Sequence, residues 1–174
     1  RVFRVDANGR ETLLHEDTRQ IVQVAFDARG RLAFLVRVEQ ERYVVHRMRE
    51  GRPVPALRCG DLARCTLLGA SADGREAWLR TDVGANLDRL ARLDADDRLQ
   101  TVEADPHNEA DLDDVAFDPA TRTPVFARYR STVAQIHGVT QEAAKHLAAI
   151  RSRATKSAHC GRRCTAPPRR SAHR

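Results

Sequence analysis

The feature that most constrains this chain is that it repeats itself. Asp27-Ala28-Arg29-Gly30-Arg31-Leu32-Ala33-Phe34-Leu35 lies over Ser71-Ala72-Asp73-Gly74-Arg75-Glu76-Ala77-Trp78-Leu79, with Gly30 on Gly74, an offset of 44 residues. A third copy, Val115-Ala116-Phe117-Asp118-Pro119, matches Val24-Ala25-Phe26-Asp27-Ala28 at an offset of 91, two periods plus three residues. The other half of the unit repeats too: Val5 to Leu14 lies over Leu93 to Val102 at an offset of 88, twice the period. Two separate segments that share one period define a repeating unit. Repeats of this length build solenoids, propellers or arrays.

The unit reads as four short strands. Val22, Val24 and Phe26 alternate with polar or small residues, the pattern of a half-buried strand. Asp-x-x-Gly-Arg then makes a turn, with Gly30 supplying a positive φ at little steric cost. Leu32 to Val36 is a continuous apolar run suited to a strand covered on both faces, Tyr43 to Met48 is a third strand, and Pro53 to Leu57 a weaker fourth. Prolines at 53 and 55 fit an outer edge, where a missing N–H costs little. Four antiparallel strands in a period of ~44 residues describe a β-propeller blade.

Counting blades organises the rest. Val2 to Leu14 supplies the last two strands of one blade, 21–57 and 65–102 are two whole blades, and Val115 to Tyr129 the first two strands of another. The expected fold is all-β: an incomplete propeller of about three four-stranded antiparallel blades, where closure takes about four to eight. It occupies residues 1–130, followed by a linker and one short amphipathic helix at 131–153 and a disordered basic tail at 154–174. Open ends would expose unpaired strand edges. The chain is therefore expected not to close by itself and reads as a fragment.

These residues also carry a family resemblance. Leu-Asp-Ala-x-x-Arg-Leu-x-Thr-Val (Leu93 to Val102), an acidic spacer, then Asp-Val-Ala-Phe-Asp-Pro-Ala-Thr (Asp114 to Thr121) resembles the propeller of the prolyl oligopeptidase family of serine peptidases, closest to its acylaminoacyl-peptidase-like bacterial branch. The resemblance covers roughly residues 1–152. In that family the propeller caps an α/β-hydrolase domain and filters peptides by size before they reach a buried Ser-Asp-His site. The resemblance thus implies a non-catalytic, substrate-gating part of a peptidase. Its partners would be the hydrolase domain of a longer parent and the parent's peptide substrates. A non-enzymatic propeller that binds protein or peptide is the competing reading.

No catalytic residue of the family can be placed. Its nucleophile sits in Gly-x-Ser-x-Gly, on a strained strand-to-helix turn that exposes the hydroxyl. The nearest string, Gly69-Ala70-Ser71-Ala72-Asp73, lacks the final glycine and falls on the blade repeat, so Ser71 reads as a turn serine. The isolated chain is expected to be inactive, with no catalytic, cofactor-binding or metal residue and no cofactor implied.

Other candidates resolve to structural readings. Cys59 and Cys65 lie between two blades and are expected as free, partly buried thiols. A disulfide there would imply an oxidising compartment. His159, Cys160, Cys164 and His173 match zinc-site spacings poorly. Asp94, Asp96 and Asp97 open like a calcium loop, but Leu99 stands where that loop needs glycine and Asp105 where it needs glutamate. They read as turn residues, and Asp111, Asp113 and Asp114 as a solvated surface. His15, His46 and His107 show no partner pattern. Thr140 is a plausible N-cap for a helix to Ser152, with Val139, Ala143, Leu147 and Ile150 as its apolar stripe. That helix reads as packing against the propeller rim.

Charge distribution narrows the partners. The 174 residues hold 30 Lys and Arg against 24 Asp and Glu, a net +6. Six of the basic residues (Lys156, Arg162, Arg163, Arg169, Arg170, Arg174) and no acid lie beyond residue 153, which leaves the repeating body neutral. That balance argues against a nucleic-acid face on the body. The tail itself is either a basic arm for anionic partners or the product of a shifted reading frame, since GC-rich DNA out of frame yields Arg, Ala, Pro, His and Cys. The frameshift is favoured, because the blade pattern should resume near residue 153 and does not. The longest apolar run, Leu32 to Val36, is far short of the roughly 18 residues of a membrane span. No address is legible, so the compartment stays open between cytoplasm and periplasm.

Overall fold

The computed structural model describes residues 1–60 and 64–163, with residues 155–163 by backbone alone. Strands β1 (Val2–Val5) and β2 (Glu11–His15) form a hairpin. Sheet I contains β3 (Ile21–Phe26), β4 (Leu32–Glu39), β5 (Arg42–Arg49) and β6 (Arg52–Arg58) in that order. Sheet II contains β7 (Cys65–Ala70), β8 (Ala77–Thr81), β9 (Arg89–Leu93) and β10 (Leu99–Glu103). Sheet III contains β11 (Leu112–Phe117), β12 (Pro124–Arg130) and β13 (Ala134–Gly138), and helix α1 (Gln141–Arg163) follows. All neighbouring strands are antiparallel, and no sheet closes into a barrel.

The repeat in the sequence is a repeat in register. In the hairpin, Val5 pairs with Glu11, Arg4 with Thr12 and Phe3 with Leu13. In sheet II, Leu93 pairs with Leu99, Arg92 with Gln100 and Ala91 with Thr101, each 88 residues later. Both ladders then slip by one residue at the same place, before Val2–His15 and Leu90–Glu103. The turns repeat as well. Asp6, Asp27 and Asp94 each accept two backbone N–H groups on Oδ1, from residues two and four further on. The residue three beyond is in the left-handed region: Gly9, Gly30 and Asp97, at φ of 77°, 72° and 63°. Aspartate tolerates that region better than most side chains, which is why Asp97 can replace glycine.

Burial follows the stacking of the sheets. Between sheets I and II lies a cluster of Phe34, Val36, Val45, Ala70, Leu79 and Leu93, closed by the two cysteines. Between sheets II and III lie Leu90, Leu112, Ala127 and Tyr129. Each such side chain, once covered, stabilises the fold by roughly 1.5–3 kcal/mol. Polar ties cross the same seams. Arg47 sits over the Phe34 ring at 4.8 Å and donates to Asp97 and the Asp94 carbonyl of sheet II. The Trp78 indole N–H donates to the Arg122 carbonyl at 3.0 Å, and Arg122 donates to the Phe26 carbonyl at 2.6 Å, linking all three sheets. Between β3 and β7, the Gln23 amide oxygen accepts the Leu67 N–H.

Three details differ from the sequence reading. Residues 134–138, expected as linker, form a third strand on sheet III: they offer one aliphatic side chain, Ile136, and too little alternation to announce a strand, yet pair fully with β12. The helix is capped as expected, with Thr140 Oγ1 accepting the Ala143 N–H at 3.1 Å, but it runs past Ser152 to Arg163. Ala154, Lys156 and Ala158 favour helix, and a nucleated helix propagates until something stops it. Residues 154–163, expected as part of the tail, are helical backbone here, and residues 164–174 lie outside the described residues. Finally, Cys59 and Cys65 are not free thiols but a disulfide, their Cα atoms 6.3 Å apart. Cys59 directly follows β6 and Cys65 begins β7, so stacking sheet II on sheet I brings both, nearly buried, to one seam.

Candidate functional site

A dense group of ionisable side chains lies between the hairpin and sheet I. Arg37 and His46 point the same way from β4 and β5, beside Leu35 and Val44, and all four are almost fully buried. Asp17, in the link after β2, takes a charge-assisted hydrogen bond from Arg37, and His15 Nε2 stands 3.4 Å from the same guanidinium. His46 Nδ1 donates to the Val44 carbonyl at 3.1 Å, and its Nε2 lies 3.1 Å from Glu39, which Arg19 also reaches. A cleft of about 640 Å3 opens beside this group, lined by His15, Asp17, Arg19, Arg37 and Arg52. Burial, then the Arg37 charge, holds both His46 and His15 below the ordinary imidazole value. His15, Arg19 and Arg52 line the cleft beside the Asp17–Arg37 pair, so it offers donors to a peptide carbonyl or carboxylate group. No described hydroxyl or thiol stands within hydrogen-bond reach of either ring, so nothing here forms a nucleophile–base pair.

A second crevice, of about 490 Å3, runs where β3, β7 and β11 come together. Val24, Phe26, Leu68, Ala70, Phe117, Asp118 and Arg122 line it, so it is mostly apolar with one carboxylate and one guanidinium.

Of the sequence candidates, His15 and His46 fall in the first place, and the others fall outside both. Ser71 Oγ donates to Asp73 at 2.6 Å and accepts the Glu76 N–H, which makes it a turn residue. Asp94 accepts the Asp96 and Arg98 N–H groups, and Asp97 pairs with Arg47 and Arg49. Asp111 accepts the Asp88 N–H, while Asp113 and Asp114 pair with Arg128. Burial, then Asp111, pushes the Asp88 carboxyl above its ordinary range. His107 lies in an exposed turn made by Asp105. His159, Cys160, Cys164 and His173 lie outside the described side chains, as does the basic tail. Among the described residues no three His, Cys, Asp or Glu side chains converge as a metal site, and no helix is long and apolar enough to cross a membrane.

The charged group itself went unpredicted. Its signal was Arg37, a lone cation interrupting the apolar stretch Leu32 to Val38 on a strand expected to be covered on both faces. A buried arginine demands a partner. Which partner it finds depends on the link after β2, and no periodicity encodes that.

No protein-family model matches the chain, and no curated protein matches it.

Proposed function

We propose that the hairpin and the three sheets are blades of an incomplete β-propeller, the substrate-gating part of a prolyl-oligopeptidase-like serine peptidase. The observation that carries the propeller reading is the constant register: the hairpin repeats β9–β10 pair for pair, down to the shared irregularity, while inner strands β3 and β7 lie side by side. In such an arrangement the crevice along β3, β7 and β11 lies on the axis through which peptides would pass. Its apolar lining suits extended peptides of mixed sequence. The peptidase reading rests on the resemblance of Leu93–Val102 and Asp114–Thr121 to that family. The chemistry would belong to the parent's α/β-hydrolase domain, and this chain's residues would act by exclusion. A fluorophosphonate probe tests it. The product of the encoding gene, expressed with everything downstream of codon 153 in each frame, should be labelled on a serine in Gly-x-Ser-x-Gly, while Ser71 of the 174-residue chain stays unlabelled. Absence of labelling in every frame overturns the peptidase reading in favour of a propeller that only binds protein or peptide.

A further inference from the structure

The stacking that the sheets make on one another is left half-made at two places. Sheet I turns the cross-strand pairs Phe34–Arg47 and Val36–Val45 toward sheet II. Sheet II turns the matching pairs Trp78–Arg92 and Arg80–Leu90 toward sheet III. The same register positions in sheet III are Phe126–Gly138 and Arg128–Ile136. Val45 and Leu90 are 0% exposed, covered by the following sheet, whereas Ile136 is 41% exposed. With Ala116 and Phe126 it lines an open, largely apolar groove of about 290 Å3 that has Leu147 of α1 as one wall. The first turn of α1 closes the Gly138 end, where an added Cβ would stand 2.3 Å from the Ala144 backbone nitrogen, and further along the helix Arg151 donates to the Ile136 carbonyl at 2.7 Å.

The other half of this contact is also spare. Sheet II meets sheet I through Leu79, Leu93 and Leu99, and Leu93 is 0% exposed. The residue 88 positions earlier in the same register is Val5, 60% exposed, beside Phe3 at 44% and Leu13 at 49% on one face of the hairpin. Arg4 and Leu14 instead line a cleft shared with sheet I. The chain therefore carries, on two different sheets, the outgoing and incoming halves of an interface it already makes internally.

We propose that the outer face of sheet III receives the β1–β2 hairpin of a second copy of this chain, with Val5 packing on Ile136 and Phe126 as Leu93 packs with Val45 and Phe34. A second copy is the occupant because its hairpin repeats the register of the strands that cover this face elsewhere, and its apolar side is uncovered. The contact is head-to-tail: two copies close on each other through two such contacts, or further copies add in a row. This inference uses only the stacking of the described sheets, so its failure leaves the peptidase reading standing.

Sedimentation velocity over a concentration series tests it, on the 174-residue chain, Val5→Asp, Ile136→Asp and an equimolar mixture of the two variants. The unmodified chain should associate and each variant should sediment as a monomer. The mixture should form a 1:1 dimer and nothing larger, since one contact keeps an unmodified hairpin on an unmodified face. Both sites are exposed, so circular dichroism of each variant should match the parent; Leu13→Asp replaces Val5→Asp should that one misfold. A monomeric unmodified chain, variants that associate as the parent does, or a mixture as monomeric as its components would each overturn the proposal.

Discussion

Asp27 shows how much one side chain does in this fold. It is 2% exposed and accepts the N–H groups of Arg29 and Arg31 and the Arg31 guanidinium. Burial alone would raise its pKa, but those donors hold it below the ordinary carboxylate range. Asp27→Ala should destabilise the chain by about 2 kcal/mol, the scale of a lost charged hydrogen-bond set. Asp94→Ala removes the same turn bonds at a less buried site and should cost less; urea midpoints of the two variants check the order. The pH dependence has two windows. His15 and His46 are neutral in the fold, so their contribution is complete above the unfolded value of about 6.5 and is lost as pH falls below it. Turn carboxylates Asp27, Asp73, Asp94, Asp105 and Asp118 are all lowered, so theirs is present above about pH 4 and lost as pH falls further. Asp88 and Glu103 are raised, chiefly by burial, and work in the opposite direction. The urea midpoint should drop from pH 7 to 5, and less so in His46→Asn. A flat profile across that span contradicts the buried neutral histidines.

At the scale of elements, what was legible was what repeats locally. Asp-x-x-Gly announces a turn because the carboxylate and the positive φ sit within four residues, so the β1–β2 and β3–β4 turns could be read directly. Strand β13 could not, because Ile136 is its single aliphatic side chain and its pairing with β12 is decided by neighbours rather than by its own pattern. The end of α1 was hidden for a related reason: Ala154 to Ala158 lacks an apolar stripe, yet helix needs none once begun. The Cys59–Cys65 bond was hidden because pairing depends on how sheet II stacks on sheet I, a non-local fact. Closing so short a loop stabilises by about 2 kcal/mol in the chain-entropy account. Reduction, or Cys59→Ser with Cys65→Ser, should therefore lower the melting temperature by about 5 °C, and an unchanged melt contradicts a formed disulfide. Trp78, the chain's one tryptophan, reports the seam between sheets II and III. Trp78→Phe should lower stability by about 1 kcal/mol through the lost bond to Arg122, measured against the parent by chemical denaturation.

Over the whole molecule, the two repeated segments and their 44-residue period marked out the sheets before any contact was known, whereas the polar seams were invisible. Arg47, Arg37 and Arg122 act across sheets, reaching partners 50, 20 and 96 residues away, and no local pattern specifies such distances. The candidate site shares that limit: His15 and His46 were noticed but acquire meaning only when the hairpin lies on sheet I. The body's balanced charge and apolar inner crevice favour neutral, extended partners, in keeping with a gate for peptides. The central claim is that this unit belongs to a peptidase propeller. Sequencing the encoding locus through and beyond codon 153, and translating all three frames, tests it most directly. The account expects one frame to resume the 44-residue rhythm and to reach Gly-x-Ser-x-Gly followed by Asp and His. A locus in which no frame continues the rhythm or contains that serine would contradict it.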